Sequence, residues 1–396
     1  MFKTFQMELA GRPLIIETGK MAKQANGAVL VRYGDTVVLV ATTASKEPRE
    51  GTDFFPLTVD YEEKMYAVGK MPGGFLRREG RPGNSAILNA RLIDRPIRPL
   101  FDKRCRNDVH VVATVLSVDY DNAPELCGML GASASIGISD IPWDGPIAGV
   151  RIGRVDGKYV VNPTQEQLAE SSMNITVAGS EEAIMMVEGG ANEAPEEEVL
   201  DAIMFGHETI KELCRFQKKI IEEVGKPKRT MVFPEVPEEI DEAVAAYATE
   251  DLKKAIFDAD KLRRDGNIDA VKKAAKEHFA DIYPENGADV AESLDHLTKQ
   301  IVRDSISNEG IRPDGRKLTE IRPITCEVGL LPRVHGSALF TRGQTQALSI
   351  TTLAPMSETQ IIDDLTPITE KRYIHQYNFP SYCVGETKGS RGPGRR

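Results

Sequence analysis

Residues 27–36 read GAVLVRYGDT, and residues 336–345 read GSALFTRGQT, the same pattern 309 positions later in the chain. In each stretch a largely apolar run lies between two glycines seven positions apart. Shorter matches flank both stretches in the same order: Glu17-Thr18-Gly19 with Glu327-Val328-Gly329, Ala41-Thr42-Thr43 with Ile350-Thr351-Thr352, Val68-Gly69 with Val384-Gly385, and Arg77-Arg78 with Arg395-Arg396. The shared order and spacing predict a duplicated domain.

The first of these stretches predicts a β-hairpin. Apolar and β-branched residues fill 28–33 and 36–43, and the Gly-Asp pair between the two runs is a common turn sequence. The second run is almost continuously apolar, which is typical of a strand buried on both faces. Residues 13–17 form a further short extended run.

Other segments of the first copy alternate between helical and extended patterns. Apolar residues follow helical spacing from 85 to 94, and we expect Pro96 and Pro99 to end that helix. Residues 109–116 predict a strand. The small-residue run 129–138 predicts a buried helix, with a strand as the weaker alternative. The chain is therefore expected to adopt a mixed α/β (α+β) fold.

Residues 234–308 differ from the rest of the chain in composition and pattern. Charged residues alternate with Ala and Leu and β-branched runs nearly vanish, so we expect a small all-helical domain whose charges form a solvated face. This divides the chain into a first α/β domain (1–233), a helical linker domain (234–308) and the start of a second copy (309–396). The second copy is expected to be truncated, and the sequence to be a fragment of a longer chain, with completion by a complementary chain as the alternative.

Composition excludes several classes of protein. The chain is 41% hydrophobic and 28% charged, as in globular proteins and unlike disordered ones. We find neither an apolar run of the roughly 18 to 20 residues that a membrane helix needs nor a secretory signal, so a cytoplasmic location is expected. The five cysteines are scattered and form no C-x-x-C pair, which favours neither disulfides nor a zinc site.

Charge is distributed unevenly. The formal net charge is −10, yet residues 77–106 contain nine basic and three acidic residues, a local balance of +6. This arginine island predicts directed binding of an anion, and pairing of the arginines with nearby carboxylates is the alternative. Within it, residues 74–82 (GFLRREGRP) place three arginines beside a phenylalanine in a glycine-bounded loop. Guanidinium groups bind phosphate and an aromatic ring can stack on a base, although a plain surface loop is equally compatible with this feature alone.

A longer block is more specific. Residues 90–101 (ARLIDRPIRPLF) resemble a signature run of the polynucleotide phosphorylase family, as do residues 53–59, 205–208 and 335–343. Residues 312–316 (RPDGR) resemble the usual opening of an RNase PH-type domain. The resemblance covers essentially the whole chain, and its motifs occur in the order of the family.

The resemblance implies two RNase PH-like domains joined by the helical domain, followed by KH and OB-fold-type RNA-binding modules, in a homotrimeric ring with a central channel. It implies processive 3′-to-5′ phosphorolysis of single-stranded RNA in mRNA degradation. Inorganic phosphate attacks the terminal phosphodiester and releases a nucleoside diphosphate, and the reverse reaction polymerises nucleoside diphosphates. Degradosome proteins are a further class of partner, and no membrane is expected.

Site residues follow from the same resemblance. Phe75, Arg77, Arg78 and Arg81 match the channel loop that grips RNA, whereas Leu76 stands where the family commonly has a second phenylalanine. A leucine cannot stack on a base as an aromatic ring does, so the RNA contact expected at position 76 is weaker.

Further arginines are assigned in the same way. Arg395 and Arg396 match an arginine pair beside the active site of the family and are expected to hold phosphate or the RNA backbone. Arg98 is expected to make a further RNA contact. Arg91 and Arg95 are expected to pair with the aspartate between them or to serve the fold.

The chemistry itself is expected outside this sequence. Because phosphate is the nucleophile, the reaction needs positive charge and a divalent metal rather than a protein nucleophile. The resemblance implies Mg²⁺ held by aspartates beyond Arg396. In the first copy, Asn174 and Thr176 stand where an active domain has Asp and Lys, and the negatively charged segment 120–125 stands where the family has a serine-rich phosphate loop. We therefore expect a non-catalytic first domain without metal ligands.

Two expectations remain. The chain is predicted to be inactive alone, and the alternative function is a non-catalytic RNA-binding or scaffolding module. His207 and His335 have no neighbours at metal-ligand spacing, so each is expected to be a packed, hydrogen-bonded histidine rather than a catalyst.

Overall fold

The structure is a computed structural model, which describes residues 2–49, 51–52, 54–231, 233, 235–387 and 389. The chain divides into two compact units, Met1–Phe233 with Thr359–Arg396, and Pro234–Glu358. Residues 309–358 thus fall in the same unit as the predicted helical segment, and the three-part division drawn from the sequence stays a prediction.

The elements are numbered in chain order. The strands are β1 (Lys3–Leu9), β2 (Arg12–Thr18), β3 (Gly27–Tyr33), β4 (Thr36–Pro48), β5 (Leu57–Glu62), β6 (Asn107–Ser117), β7 (Ala148–Val155), β8 (Lys158–Val161), β9 (Met173–Gly179), β10 (Ile184–Ala191), β11 (Ile324–Val328), β12 (Gly336–Arg342), β13 (Thr345–Thr351), β14 (Gln360–Ile361) and β15 (Glu370–Lys371). The α-helices are α1 (Asn84–Ile97), α2 (Pro124–Ile138), α3 (Gln165–Glu170), α4 (Glu196–Val224), α5 (Glu238–Ile256), α6 (Lys261–Phe279) and α7 (Gly287–Asp304).

Two sheets form the core of the first unit. One has the order β1-β2-β3-β4-β6-β5 and is antiparallel except for the parallel β5–β6 pair. The other is antiparallel with the order β10-β9-β7-β8. Helix α2 packs on β3 and β4 of the first sheet and on β7 of the second, and α4 packs on β7 and β9. The α/β expectation is confirmed, with α2 at the centre of the core.

The predicted hairpin and the duplication are both confirmed. Strands β3 and β4 pair around Gly34, and β12 and β13 pair around Gly343, with φ of 58° and 62° in the left-handed region that favours glycine. The registers correspond as well, since Gly27 faces Thr42 as Gly336 faces Thr351. The prediction that β4 is buried on both faces was not fully correct, because its residues alternate between buried and half-buried as far as Thr42 and are half-buried or exposed after it.

The structure corrects the predicted end of α1 and decides between helix and strand for residues 129–138. Helix α1 continues through Pro96 to Ile97, because a proline in the last turn removes one backbone hydrogen bond and the helix ends before more are lost. The amide of Arg98 donates to the Asp94 carbonyl and closes that last turn. Residues 129–138 form most of α2 and are buried, so the helix prediction is confirmed and the strand alternative is wrong.

Small residues let α2 approach the first sheet closely. A β-carbon on Gly131 would lie 2.5 Å from a methyl group of Val40 and 3.0 Å from one of Val31. Ser135 of the same helix shares a 2.6 Å hydroxyl–hydroxyl hydrogen bond with Thr42 on β4. The small-residue run is therefore needed for packing.

We expect Gly131→Ala to lower the free energy of unfolding by about 1–2 kcal/mol, because overpacking against two buried valines exceeds the gain in helix propensity. Gly266→Ala on α6 is the matched control, since no atom lies within 4 Å of the added carbon. That change should raise stability by about 0.5–1 kcal/mol. Chemical denaturation of both variants checks the opposite signs, and equal shifts would contradict the close-packing account.

The second unit is built differently. Helices α5, α6 and α7 confirm the helical character predicted for residues 234–308. Their buried apolar residues form a core of their own, which includes Val244, Leu252, Phe279 and Leu294. Strands β11, β12 and β13 form a separate antiparallel sheet whose residues are largely exposed. Among the helices of the described ranges, none has both the length and the apolar character needed to cross a bilayer.

Candidate nucleic-acid interface

The arginine loop, residues 69–83, lies between the 3-10 helix Met65–Val68 and the start of α1. The side chain of Phe75 is fully exposed, at 100% of its reference area, and Leu76 is 81% exposed. Arg77, Arg78 and Arg81 are exposed as well. An exposed ring beside three guanidinium groups has no role in the core, so the loop tip is free to contact a ligand.

One hydrogen bond ties the arginine loop to the residues before it. The Glu79 carboxylate, between Arg78 and Arg81, accepts a 2.9 Å hydrogen bond from the Met65 amide. Arg77 adopts a left-handed backbone with φ of 48°, and its amide donates to the Gly74 carbonyl at 2.9 Å. The arginines are thus presented on a tight turn rather than on an extended strand.

Arg98, predicted as an RNA contact, is held by the fold. Its Nε and Nη2 donate to the two carboxylate oxygens of Asp94 at 3.0 and 2.6 Å, and Nη2 also reaches the Leu57 carbonyl at 3.0 Å. Asp94 pairs with Arg98 because residues four apart share one helix face. The RNA contact predicted for Arg98 stays a prediction, and its guanidinium already has protein partners.

Other arginines of the island also have carboxylate partners in the fold. Arg95 forms an ion pair with Glu188 of β10 at 2.5 Å, as expected for a residue that serves the fold, and Arg104 pairs with Asp102 at 2.7 Å. Arg91 is exposed. Carboxylate pairing thus accounts for much of the island beyond Arg81. Arg395 and Arg396, predicted to hold phosphate or RNA, lie outside the described residues.

The segment that the sequence analysis interprets as the first-copy counterpart of the catalytic segment lies on β9. Asn174 is exposed there, whereas Thr176 is buried and faces Arg151 across the pair with β7. Arg151 also forms a 2.5 Å ion pair with Glu125 at the start of α2. Because this pair offsets the Glu125 charge, the repulsion of phosphate expected from residues 120–125 is weaker than the sequence predicted.

These residues do not fit a Mg²⁺ ion. Magnesium prefers anionic oxygen ligands, and the Asn174 amide is neutral while the Thr176 hydroxyl is buried. Within the residues that the structure describes, no group of three or more His, Cys, Asp or Glu side chains could hold a metal ion.

The two histidines have local partners. His207 is 5% exposed and its Nε2 donates to the Ser180 carbonyl at 3.0 Å, so the structural role predicted for it is confirmed. His335 Nδ1 accepts a 2.8 Å hydrogen bond from the Leu353 amide. His335 is exposed, so it is hydrogen-bonded as expected but not packed in a core.

The helical segment accounts for most of the net negative charge of the protein. Residues 234–308 contain eighteen acidic and ten basic residues, a formal balance of −8. Several of its basic groups are paired, as in Lys272–Asp295 at 2.5 Å and Arg263–Asp258 at 2.5 Å. Its overall field repels a phosphate backbone, and the concentrated positive charge of the chain lies on the arginine loop.

Family models match the chain in consecutive stretches. The 3′ exoribonuclease family, domain 1, matches residues 10–142 and 320–396, more than half of the chain. Domain 2 of the same family matches residues 145–209. The polyribonucleotide nucleotidyltransferase RNA binding domain matches residues 239–317, which include the acidic helices.

Curated relatives are similar over the whole chain. The polyribonucleotide nucleotidyltransferase of Heliobacterium modesticaldum is 57% identical and that of Syntrophomonas wolfei 58% identical, each over 394 residues. In both cases the match covers 100% of this chain and 56% of the relative, so the chain spans little more than half the length of these proteins. Among solved structures, rice (Oryza sativa) Rrp46 covers 56% of this chain with a TM-score of 0.42 and 14% identity, too distant for a comparison of residues.

The matched stretches follow one another as domain 1, domain 2, the nucleotidyltransferase RNA-binding domain and domain 1 again. This order agrees with the duplicated strands and with the helices between them. The chain belongs to the 3′ exoribonuclease family, with the domain arrangement of a polyribonucleotide nucleotidyltransferase.

Proposed function

We propose that the protein takes part in processive 3′-to-5′ phosphorolysis of single-stranded RNA during mRNA degradation. Inorganic phosphate attacks the terminal phosphodiester, the bond to the terminal nucleotide breaks, and a nucleoside diphosphate leaves. Family membership supports the reaction class. The observation that carries the RNA-binding role is the exposed loop with one aromatic ring and three arginines.

The loop has the chemistry to hold a single strand. Arg77, Arg78 and Arg81 supply charge and planar donors for successive phosphates, and Phe75 supplies a surface on which a base stacks whatever its identity. Binding of this kind is independent of sequence, as processive degradation requires. Arg98 and the pair Arg395 and Arg396 belong to the same proposal as secondary contacts.

The metal and the catalytic carboxylates belong elsewhere. We infer that Mg²⁺, when bound, stabilises the charge of the reacting phosphate and that its ligands do not come from the first-copy segment around Asn174. The first domain then binds and guides RNA without reacting. The proposed division is a non-catalytic first domain (1–233), a helical linker (234–308) and part of a second RNase PH-like domain (309–396).

Assembly and location complete the proposal. A homotrimer would place three arginine loops around one channel, and degradosome proteins are further candidate partners. A cytoplasmic location is supported by the five free thiols, two of which, Cys326 and Cys383, are exposed.

The direction of degradation tests the reaction class. When phosphate is present, the full-length protein should shorten a duplex with a 3′ single-stranded tail. It should leave a duplex with a 5′ tail intact, and without phosphate it should shorten neither. Shortening without phosphate, with nucleoside monophosphates as the product, would assign the protein to the hydrolases instead.

A second candidate is a non-catalytic RNA-binding or scaffolding module that acts as this chain alone. The arginine loop together with the neutral Asn174 favours it. It requires a stable product of this length in cells, which an immunoblot with an antibody against the first domain would detect. Detection of only a longer polypeptide would rule it out.

Leu76 allows a gain of function to be predicted. Because Leu76 is 81% exposed, Leu76→Phe removes no core packing and adds a second stacking ring. We expect affinity for single-stranded RNA to rise about tenfold, since stacking contributes about 1–3 kcal/mol per base. Fluorescence anisotropy with labelled oligonucleotides measures the change. Leu353→Phe, at a leucine 72% exposed in the other unit, is the control and should have no effect.

A further inference from the structure

A segment that follows the second copy's strands packs on the first domain. Residues 359–371 belong to the first compact unit and carry the short strands β14 and β15. Leu365 is only 5% exposed and joins the hydrophobic core of that unit, although its neighbours Asp363 and Pro367 are exposed. One buried leucine in a segment of exposed and half-buried residues is an anchor.

The anchor lies at the base of the arginine loop. The Lys70 ammonium group donates to the Asp364 carbonyl at 3.4 Å. Asp363 lies against Gly73 so closely that a β-carbon on that glycine would be 2.5 Å from the Asp363 carboxylate. The segment therefore contacts the chain at two positions just before the exposed tip that carries Phe75.

The turn that makes these contacts is itself rigid. The Asp364 carboxylate accepts hydrogen bonds from the amide and the hydroxyl of Thr366 at 2.8 and 2.6 Å. These bonds connect Asp364 with Thr366 across Leu365, the residue that enters the core.

The charge of the same turn acts on Glu63, which precedes the loop. Burial raises the pKa of the Glu63 carboxyl, a hydrogen bond from Ser85 opposes this, and the charges of Asp364 and Glu125 raise it further. Ser85 lies in the first turn of α1, where the loop ends. Glu63 thus feels the charge of Asp364 and accepts the hydrogen bond from Ser85.

We propose that Asp363, Asp364 and Leu365 are positioning residues for the arginine loop. Leu365 fixes the segment on the core, the Asp364 carbonyl accepts the hydrogen bond from Lys70, and the Asp363 carboxylate packs against Gly73. The start of the loop, at Lys70 and Gly73, is then held in place while the residues from Phe75 to Arg81 contact RNA. The polypeptide that follows the second copy's strands thereby controls the RNA contact of the first domain. The structural part stands by itself, and only the consequence for RNA rests on the proposed function.

The test uses the full-length protein with three leucine variants. Leu365→Ala removes the anchor, Leu365→Met restores an apolar side chain of similar volume, and Leu213→Ala removes an equally buried leucine (1% exposed) from α4 of the same unit. Lys70→Met removes one contact without touching the core. Limited trypsin digestion without RNA reports cleavage after Arg77, Arg78 and Arg81, and anisotropy reports RNA affinity.

Leu365→Ala should speed cleavage in the loop about tenfold, because proteolysis follows the population of the open form, and should weaken RNA binding. Lys70→Met should do the same to a lesser degree. Leu365→Met should restore the wild-type rate, and Leu213→Ala should lower the melting temperature without selective cleavage in the loop. Unchanged cleavage in Leu365→Ala, or equal cleavage in Leu213→Ala, would overturn the proposal. Faster cleavage with unchanged RNA affinity would uphold the anchor and contradict the loop's role in RNA binding.

Discussion

The 396-residue chain alone is expected to release no nucleoside diphosphate from single-stranded RNA supplied with Mg²⁺ and inorganic phosphate. In the described part of the chain no group of three or more His, Cys, Asp or Glu side chains could hold a metal ion, and the sequence interpretation places the neutral Asn174 where a catalytic copy has a carboxylate. Loss of metal stabilisation of the reacting phosphate costs several kcal/mol, so the rate should fall by about 10³-fold or more.

A full-length relative, such as the Heliobacterium modesticaldum protein, is the positive control for this assay. Phosphate-dependent release by the chain would mean that the first domain has a working site. In that case Asn174→Ala should abolish the release, which would separate genuine activity from a contaminating nuclease.

Replacement of Arg77 and Arg78 by alanine in the full-length protein is expected to weaken binding of single-stranded RNA at least tenfold. Both side chains are exposed, so stability should change little. A charge-assisted hydrogen bond contributes about 1.5–3 kcal/mol, and the loss of one such contact accounts for a tenfold change. The slope of log affinity against log salt should become shallower by about 1.4, since each phosphate contact on a single strand contributes about 0.7.

Two matched variants sharpen this experiment. Double replacement by lysine keeps the charge but not the planar fork, so the salt slope should be retained while affinity falls. Arg303→Ala removes an exposed arginine from the acidic helices and should leave both quantities unchanged. An unchanged salt slope in the double alanine variant would remove these arginines from the RNA path.

Local patterns predicted much of the fold. The hairpin around Gly34 and its repeat around Gly343 follow from turn residues between apolar runs, signals that lie within a few positions of each other. The buried helix at 129–138 was predictable because small residues cluster where two sheets and a helix converge. The exposure of Phe75 also followed, since charge and glycine surround it.

Pairings between distant segments were not predictable. The partner of Arg95, Glu188, is 93 positions away, and Leu365 reaches a core built from the other end of the sequence. The extension of α1 past Pro96 was missed because a proline in the last turn removes only one hydrogen bond. The partner of Arg98 did have a local signal, an aspartate four positions earlier on the same helix.

The most direct test of the central claim follows radiolabelled inorganic phosphate during RNA degradation by the full-length protein. Phosphorolysis transfers the labelled phosphate to the product, so the account predicts label in the β-phosphate of the released nucleoside diphosphates. Release of unlabelled nucleoside monophosphates would show that water is the nucleophile and would contradict the assignment.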